Sequence, residues 1–261
     1  GLEYVDKIEL LEDTNKNMQN LNLTYAVRDG IISHCGEVDE NGLKPREECI
    51  DLEEYKLPNQ YSPYTWEGCV VKVADKISYL GRDIEDAITL GILDEKLEEL
   101  YKILQSKEVI NNTVIIHHLI KDLCQNSSVE NGLCFSDETF NLIKEIKDFN
   151  YKHIYFCDKI KPSNRYFNIV INEIYATLKN IYVGENTLNN MEKVKKIYPE
   201  VVCDFQRWLE SYWTNKRKDS CKNDVVFDIN NKRDYYKAII YYISGMTDNF
   251  AIDTYNKIIG F

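Results

Sequence analysis

The sequence predicts an all-α protein. Apolar residues recur at three- and four-residue steps in most segments, and period-two alternation of the β type is scarce. With 261 residues, 44% of them hydrophobic, the chain can bury a sizeable core. In MQNLNLTYAVRDGIISHCGE, the apolar positions Leu21, Leu23, Ala26, Val27, Ile31 and Ile32 suit a helix of about a dozen residues, stopped by Gly36. From 37 to 65, clustered charge and the breakers Gly42, Pro45, Pro58 and Pro63 predict a long irregular loop. A long helix then runs from about Trp66 to Leu90, with Val70, Val73, Ile77, Leu80, Ile84 and Ala87 as its apolar stripe. Further helices are expected near 94–106, 112–124, 136–147 and 163–182, then 188–197, 200–213 and a last pair over 232–259. HIYFC, at 153–157, is a candidate short strand. No repeat or linker divides the chain, which reads as a helical body over 1–150 with a helical C-terminal subdomain over 151–261.

Charge and cysteine usage exclude several classes. A net charge of −11 argues against general nucleic-acid binding, which needs clustered Lys and Arg not offset by nearby acids. The one compact basic run, NKRK at 215–218, sits beside acidic residues and reads as a solvated loop. The longest apolar runs, VIIHHLI and AIIYYI, fall far short of the roughly 20 residues that span a bilayer, so no membrane segment or signal peptide is expected. Eight scattered cysteines without a CxxC pair fit reduced thiols in a cytoplasmic protein.

The long helix carries the one pattern that suggests chemistry. Asp75, Tyr79 and Asp83 follow at four-residue intervals, and with Arg82 and Asp86 they fall away from the apolar stripe. An exposed helix face carries acids by default, and surface pairing with Arg82 accounts for some of them. Asp75, however, follows VVKVA, and an acid in so apolar a helix that is not on the surface needs a cation or hydrogen-bond donors. A carboxylate for a metal, a ring to pack on a sugar and a second carboxylate for sugar hydroxyls would suit a nucleotide.

VVKVADKISYLGRDIEDAI resembles the last metal-binding helix of the HD-superfamily deoxynucleoside triphosphate triphosphohydrolases, the dGTPase-like branch. LNLTYAVRDGIISHCGE resembles the helix upstream of it, REECIDL and SPYTWEGCVV the connecting loop, and YYISGMTDNFAIDTYNKI the closing helix. The resemblance implies an all-α HD-type phosphohydrolase body, usually a homo-oligomer, that hydrolyses a deoxynucleoside triphosphate to deoxynucleoside and tripolyphosphate. It implies a divalent metal, Mg or Mn among others, on an H...HD...D ligand set whose final Asp matches Asp75. Tyr79 and Asp83 match positions that contact the deoxyribose and its 3'-hydroxyl, and Tyr155 matches a tyrosine lining the nucleotide pocket.

One departure matters: no His-Asp dipeptide occurs in the chain. By the resemblance, the other metal ligands lie ahead of GLEYVDKIELL, so the expectation is the C-terminal part of a longer protein, with an incomplete metal site and no activity alone. A catalytic metal takes about three protein ligands. The four histidines do not replace them. His117 and His118 are adjacent and point about 100° apart on a helix, which suits an interface or partial burial. His34 sits at a helix end, where it caps. His153 faces either a substrate or solvent. The alternative to a hydrolase is a non-catalytic nucleotide-binding or regulatory helical module.

Overall fold

The structure, a computed structural model, describes residues 1–36, 40–105, 111–214 and 217–260. Eleven α-helices and one two-stranded sheet stand among the described residues, so the all-α expectation holds. The chain forms two compact units, Leu23–Lys161 and a second made of Gly1–Asn22 with Pro162–Phe261, of which residue 261 lies outside the described set.

In the unit Leu23–Lys161, α2 (Tyr25–Ser33), α4 (Leu97–Ile103), α5 (Asn112–Asn126) and α6 (Asp137–Asn150) accompany the long α3 (Trp66–Thr89). The sequence marks the starts of these helices. Thr65 accepts from the Gly68 N–H ahead of α3, Asn111 from Thr113 ahead of α5, and Ser136 from Thr139 ahead of α6. Ser136 is itself fixed by Asp122 of α5, which accepts from its N–H at 2.8 Å and its hydroxyl at 2.7 Å. Although burial works against the charge, the bonds from Ser136 hold the Asp122 carboxyl below the usual carboxylate range.

Five of the six stripe residues of α3, from Val73 to Ala87, are buried in a core with Leu100, Leu119, Ile146 and Phe149. Val70 departs from that expectation at 51% exposure. Early in α3 the close packing is made on another face, where a Cβ added to Gly30 of α2 would lie 3.8 Å from the Gly68 Cα. Val70 instead lines an apolar groove of about 480 Å³ with Ala74, Ile116 and Ile120, between α3 and α5.

The described part of the loop after α2, residues 40–65, is fastened at two places. Arg46 pairs with Asp29 of α2, which is 1% exposed and also accepts from the Tyr64 N–H at 2.7 Å. Leu43 bridges Leu133 in antiparallel fashion, next to Gly132 at φ +82°. A Cβ on Gly132 would lie 2.6 Å from the Gly42 oxygen and 2.8 Å from the Leu43 oxygen, both backbone atoms. Gly132→Ala is therefore expected to cost at least about 1 kcal/mol, because strain at positive φ adds to the clash. A lower midpoint in chemical denaturation checks it.

HIYFC is not a strand. Tyr151–Tyr155 continue α6 as one widened π-type turn. Ile146, Phe149 and Ile154 are all buried, at near-helical spacing with one extra residue, and burial on that face outweighs the β propensity of the segment.

The second unit opens with α1 (Leu2–Lys7) and a hairpin of β1 (Leu10–Glu12) and β2 (Met18–Asn20), none of which the periodicity predicts. Asp13 closes the hairpin by accepting from the Asn15 and Asn17 N–H groups, both at 2.8 Å. Around it stand α7 (Lys161–Lys179), α8 (Thr187–Val194), α9 (Pro199–Leu209), α10 (Lys232–Ser244) and α11 (Asp248–Ile259). Phe205, Trp213, Phe227 and Tyr235 fill the core, with the Tyr235 hydroxyl donating to Leu178 O at 2.9 Å. The hairpin joins this unit through Met18, whose N–H donates to Ser220 O and whose carbonyl accepts from Lys222, both at 2.8 Å. In the basic run, residues 215 and 216 lie outside the described residues.

Candidate functional site

Asp75, Tyr79 and Asp83 rise along one face of α3, each partly exposed, while the neighbouring stripe is buried. Asp75 is not enclosed by the apolar helix around it. Its side chain is 44% exposed, and its nearest cation is the Lys76 ammonium at 3.2 Å. Lys76 also stands 5.5 Å over the Tyr79 ring and is itself largely covered. The sequence reading passed over this lysine, and its only signal there is adjacency to Asp75. A cavity of about 30 Å³ beside Tyr79 is lined by Lys76, Lys147 and apolar side chains, room for about one water.

Asp83 meets the only other tyrosine singled out by the sequence. The Tyr155 hydroxyl donates to Asp83 Oδ2, across 72 residues of sequence. The π-type turn after α6 carries Tyr155 to that position, and the Tyr151 ring stands edge-on to it at 5.2 Å. Burial, and then the bond and charge of Asp83, push the Tyr155 phenol far above its ordinary value, so it acts as a donor and not as an anion. The row and Tyr155 are thus brought together at the Asp83 end.

The histidines do not join them. His34 is the C-cap of α2, with Nδ1 2.7 Å from the Ile31 oxygen. His117 and His118 are exposed on α5. His153 faces neither solvent nor the row: its side chain is 9% exposed, packs against Phe149 at 4.8 Å and reaches Glu99 at 3.2 Å. Among the described residues no group of three His, Cys, Asp or Glu side chains stands close enough to hold a metal ion. Asp75 is a single carboxylate, so the described donors do not amount to a metal site. All eight cysteines are free, with Cys69 and Cys221 buried and Cys35, Cys49 and Cys124 exposed. No helix among the described residues is long and apolar enough to cross a membrane.

Fold and site define a helical protein whose longest helix presents a carboxylate, a ring and a second carboxylate, the last held by a tyrosine from a wide turn. Its relatives are deoxyguanosinetriphosphate triphosphohydrolase-like proteins. That of Rickettsia bellii is 27% identical over 275 aligned residues, 96% of this chain and 64% of the relative. That of Clostridium tetani is 25% identical over 97% of this chain and 58% of its own length. That of Rickettsia prowazekii is 28% identical, with 96% and 64% covered. The similarity to dGTPase-like proteins that the motifs carried therefore runs along nearly the whole chain, which spans less than two thirds of these relatives. No protein-family model matches it.

Proposed function

We propose that this chain is the sugar-binding portion of a triphosphohydrolase-type protein that cleaves a deoxynucleoside triphosphate to deoxynucleoside and tripolyphosphate. The carrying observation is the row Asp75, Tyr79, Asp83, closed at its far end by Tyr155. In this reading Asp83 accepts a hydrogen bond from the 3'-hydroxyl, Tyr79 packs against the deoxyribose, and Tyr155 fixes the Asp83 carboxylate. In the same reading the Lys76 ammonium, which stands near both Asp75 and the Tyr79 ring, is a cation for the phosphates. In the reaction, water oxygen bonds to the α-phosphorus, the bond to the 5'-oxygen breaks, and that oxygen leaves with a proton as the nucleoside hydroxyl. The charge spread over the phosphate oxygens favours nearby cations. In this reading Asp75 is the carboxylate that would face a divalent ion such as Mg or Mn, in a cytoplasmic protein that assembles into homo-oligomers.

The lone carboxylate at Asp75 favours a second reading, a nucleotide-binding module without chemistry. Tripolyphosphate release from each common deoxynucleoside triphosphate, with Mn2+ or Mg2+, separates the two when run beside calorimetric binding. Release that disappears in Asp75→Ala is the expected result for the hydrolase. Binding without release, unchanged in Asp75→Ala, identifies the module, and absence of both binding and release rejects both readings.

A further inference from the structure

The π-type turn that delivers Tyr155 is held from a side the row does not touch. Glu99, on α4, accepts from His153 Nε2 at 3.2 Å and from Lys152 Nζ at 3.4 Å, both through Oε1. These two donors immediately precede Ile154 and Tyr155 in the chain. The His153 ring packs against Phe149, one helical turn earlier, and is almost wholly covered, whereas Lys152 is exposed. The bond from His153, ahead of the one from Lys152, holds the Glu99 carboxyl below its ordinary value, so Glu99 is an anion at neutral pH.

A widened turn has poorer hydrogen-bond geometry than an α-helix and needs outside contacts to keep its shape. Two such contacts precede Tyr155. Asn150 donates to the Leu80 carbonyl of α3 at 3.1 Å, and His153 donates to Glu99 of α4. The first ties the start of the turn to the helix that carries the row, and the second ties its middle to a different helix. The turn is short, with His153 two residues ahead of Tyr155.

We infer that Glu99 is a positioning residue: acting through His153, it sets the turn so that the Tyr155 hydroxyl reaches Asp83. Its consequence for ligand rests on the nucleotide reading above, in which the Asp83 carboxylate takes the 3'-hydroxyl. An orientation fixed in advance spares the ligand the cost of ordering these groups on binding. The bonds of Glu99 go to Lys152 and His153 of the turn, so its effect reaches the sugar through the geometry of the turn.

The test places 3-fluorotyrosine at position 155 of the whole chain and reads its 19F resonance, with Asp83→Ala as the reference for a broken bond. The Glu99 side chain is 45% exposed, so Glu99→Ala leaves the core intact. Glu99→Ala and His153→Ala are expected to move the resonance toward the Asp83→Ala position. His153→Gln, which keeps a donor at the same reach, is expected to leave it unmoved. Deoxynucleoside triphosphate affinity should fall about tenfold in the two alanine variants and recover in His153→Gln, in line with one charge-assisted hydrogen bond. An unmoved resonance in Glu99→Ala overturns the inference whatever the affinities are. A moved resonance in a protein that binds no nucleotide supports the role of Glu99 and rejects the nucleotide reading instead.

Discussion

Arg46→Ala is expected to lower the unfolding free energy by about 3–5 kcal/mol, the usual cost of removing one partner from a buried ion pair. The arginine does more than neutralise Asp29. Its guanidinium donates to the Tyr25 hydroxyl at 2.8 Å, to Ser62 O at 2.6 Å and to Glu48 O at 2.9 Å, and it lies 5.4 Å from the Tyr64 ring centre. Burial works against its charge, but the bond and charge of Asp29, with Tyr25, hold its pKa above the ordinary arginine value. Truncation leaves the carboxylate of Asp29, 1% exposed in the intact chain, with the Tyr64 N–H and the Ser33 hydroxyl as donors among the described residues. Against a total stability of about 5–15 kcal/mol, the loss approaches a third or more. Urea denaturation measures it. Asp29→Asn combined with Arg46→Met should recover much of the deficit, because the uncompensated charge and not the lost packing is its main source. Failure of that recovery would place the cost in the loop contacts.

Asp83→Ala is expected to remove discrimination for the 3'-hydroxyl. Hydrogen bonds to a charged acceptor contribute about 1.5–3 kcal/mol, so the parent chain should bind a deoxynucleoside triphosphate roughly 10- to 150-fold more tightly than its 2',3'-dideoxy analogue. In Asp83→Ala the two affinities should converge. Tyr155→Phe removes the donor and leaves the carboxylate, so it should weaken binding less, and the pair should be non-additive in a double-mutant cycle because the two groups touch. Calorimetry with the two ligands is sufficient. Equal affinity of the parent chain for both would sink the sugar assignment of Asp83.

Long periodic elements were readable because their signal is local. The 24 residues of α3 carry a capping Thr65 and a buried stripe, and both are visible in the order of residues. The row of Asp75, Tyr79 and Asp83 was readable for the same reason, since helical spacing alone puts them on one face. What failed depended on distant partners. Val70 reads as stripe, yet α2 packs against α3 at the Gly30 and Gly68 contact, and that choice of face has no mark in VVKVA. HIYFC has the β-type composition of a strand, but it is a π-type turn whose side chains reach α3 and α4. The strands β1 and β2 are three residues each, too short for a period to register, and β2 is secured by residues 220 and 222. The Glu99 and His153 pair spans 54 residues and has no motif. Even the surroundings of Asp75 required the fold, because sequence suggested enclosure and the structure gives it half its surface and a lysine.

The pairing of Met18 with residues 220 and 222, and the bond from the Tyr212 hydroxyl to Ile8 O across 204 residues, have a consequence for how the chain assembles. The unit Leu23–Lys161 is an insertion within a host whose two parts are separated by all of it. During synthesis the insert is fully emerged, and free to collapse on contacts made within itself, while α1 and the hairpin still await α7 to α11. Closing so wide a loop early is entropically costly, and an insert that has already folded leaves less chain to be ordered in that closure. Protease protection on a stalled nascent chain should accordingly appear first over the inserted unit and reach residues 1–22 last, so that residues made ahead of the insert find their place after it.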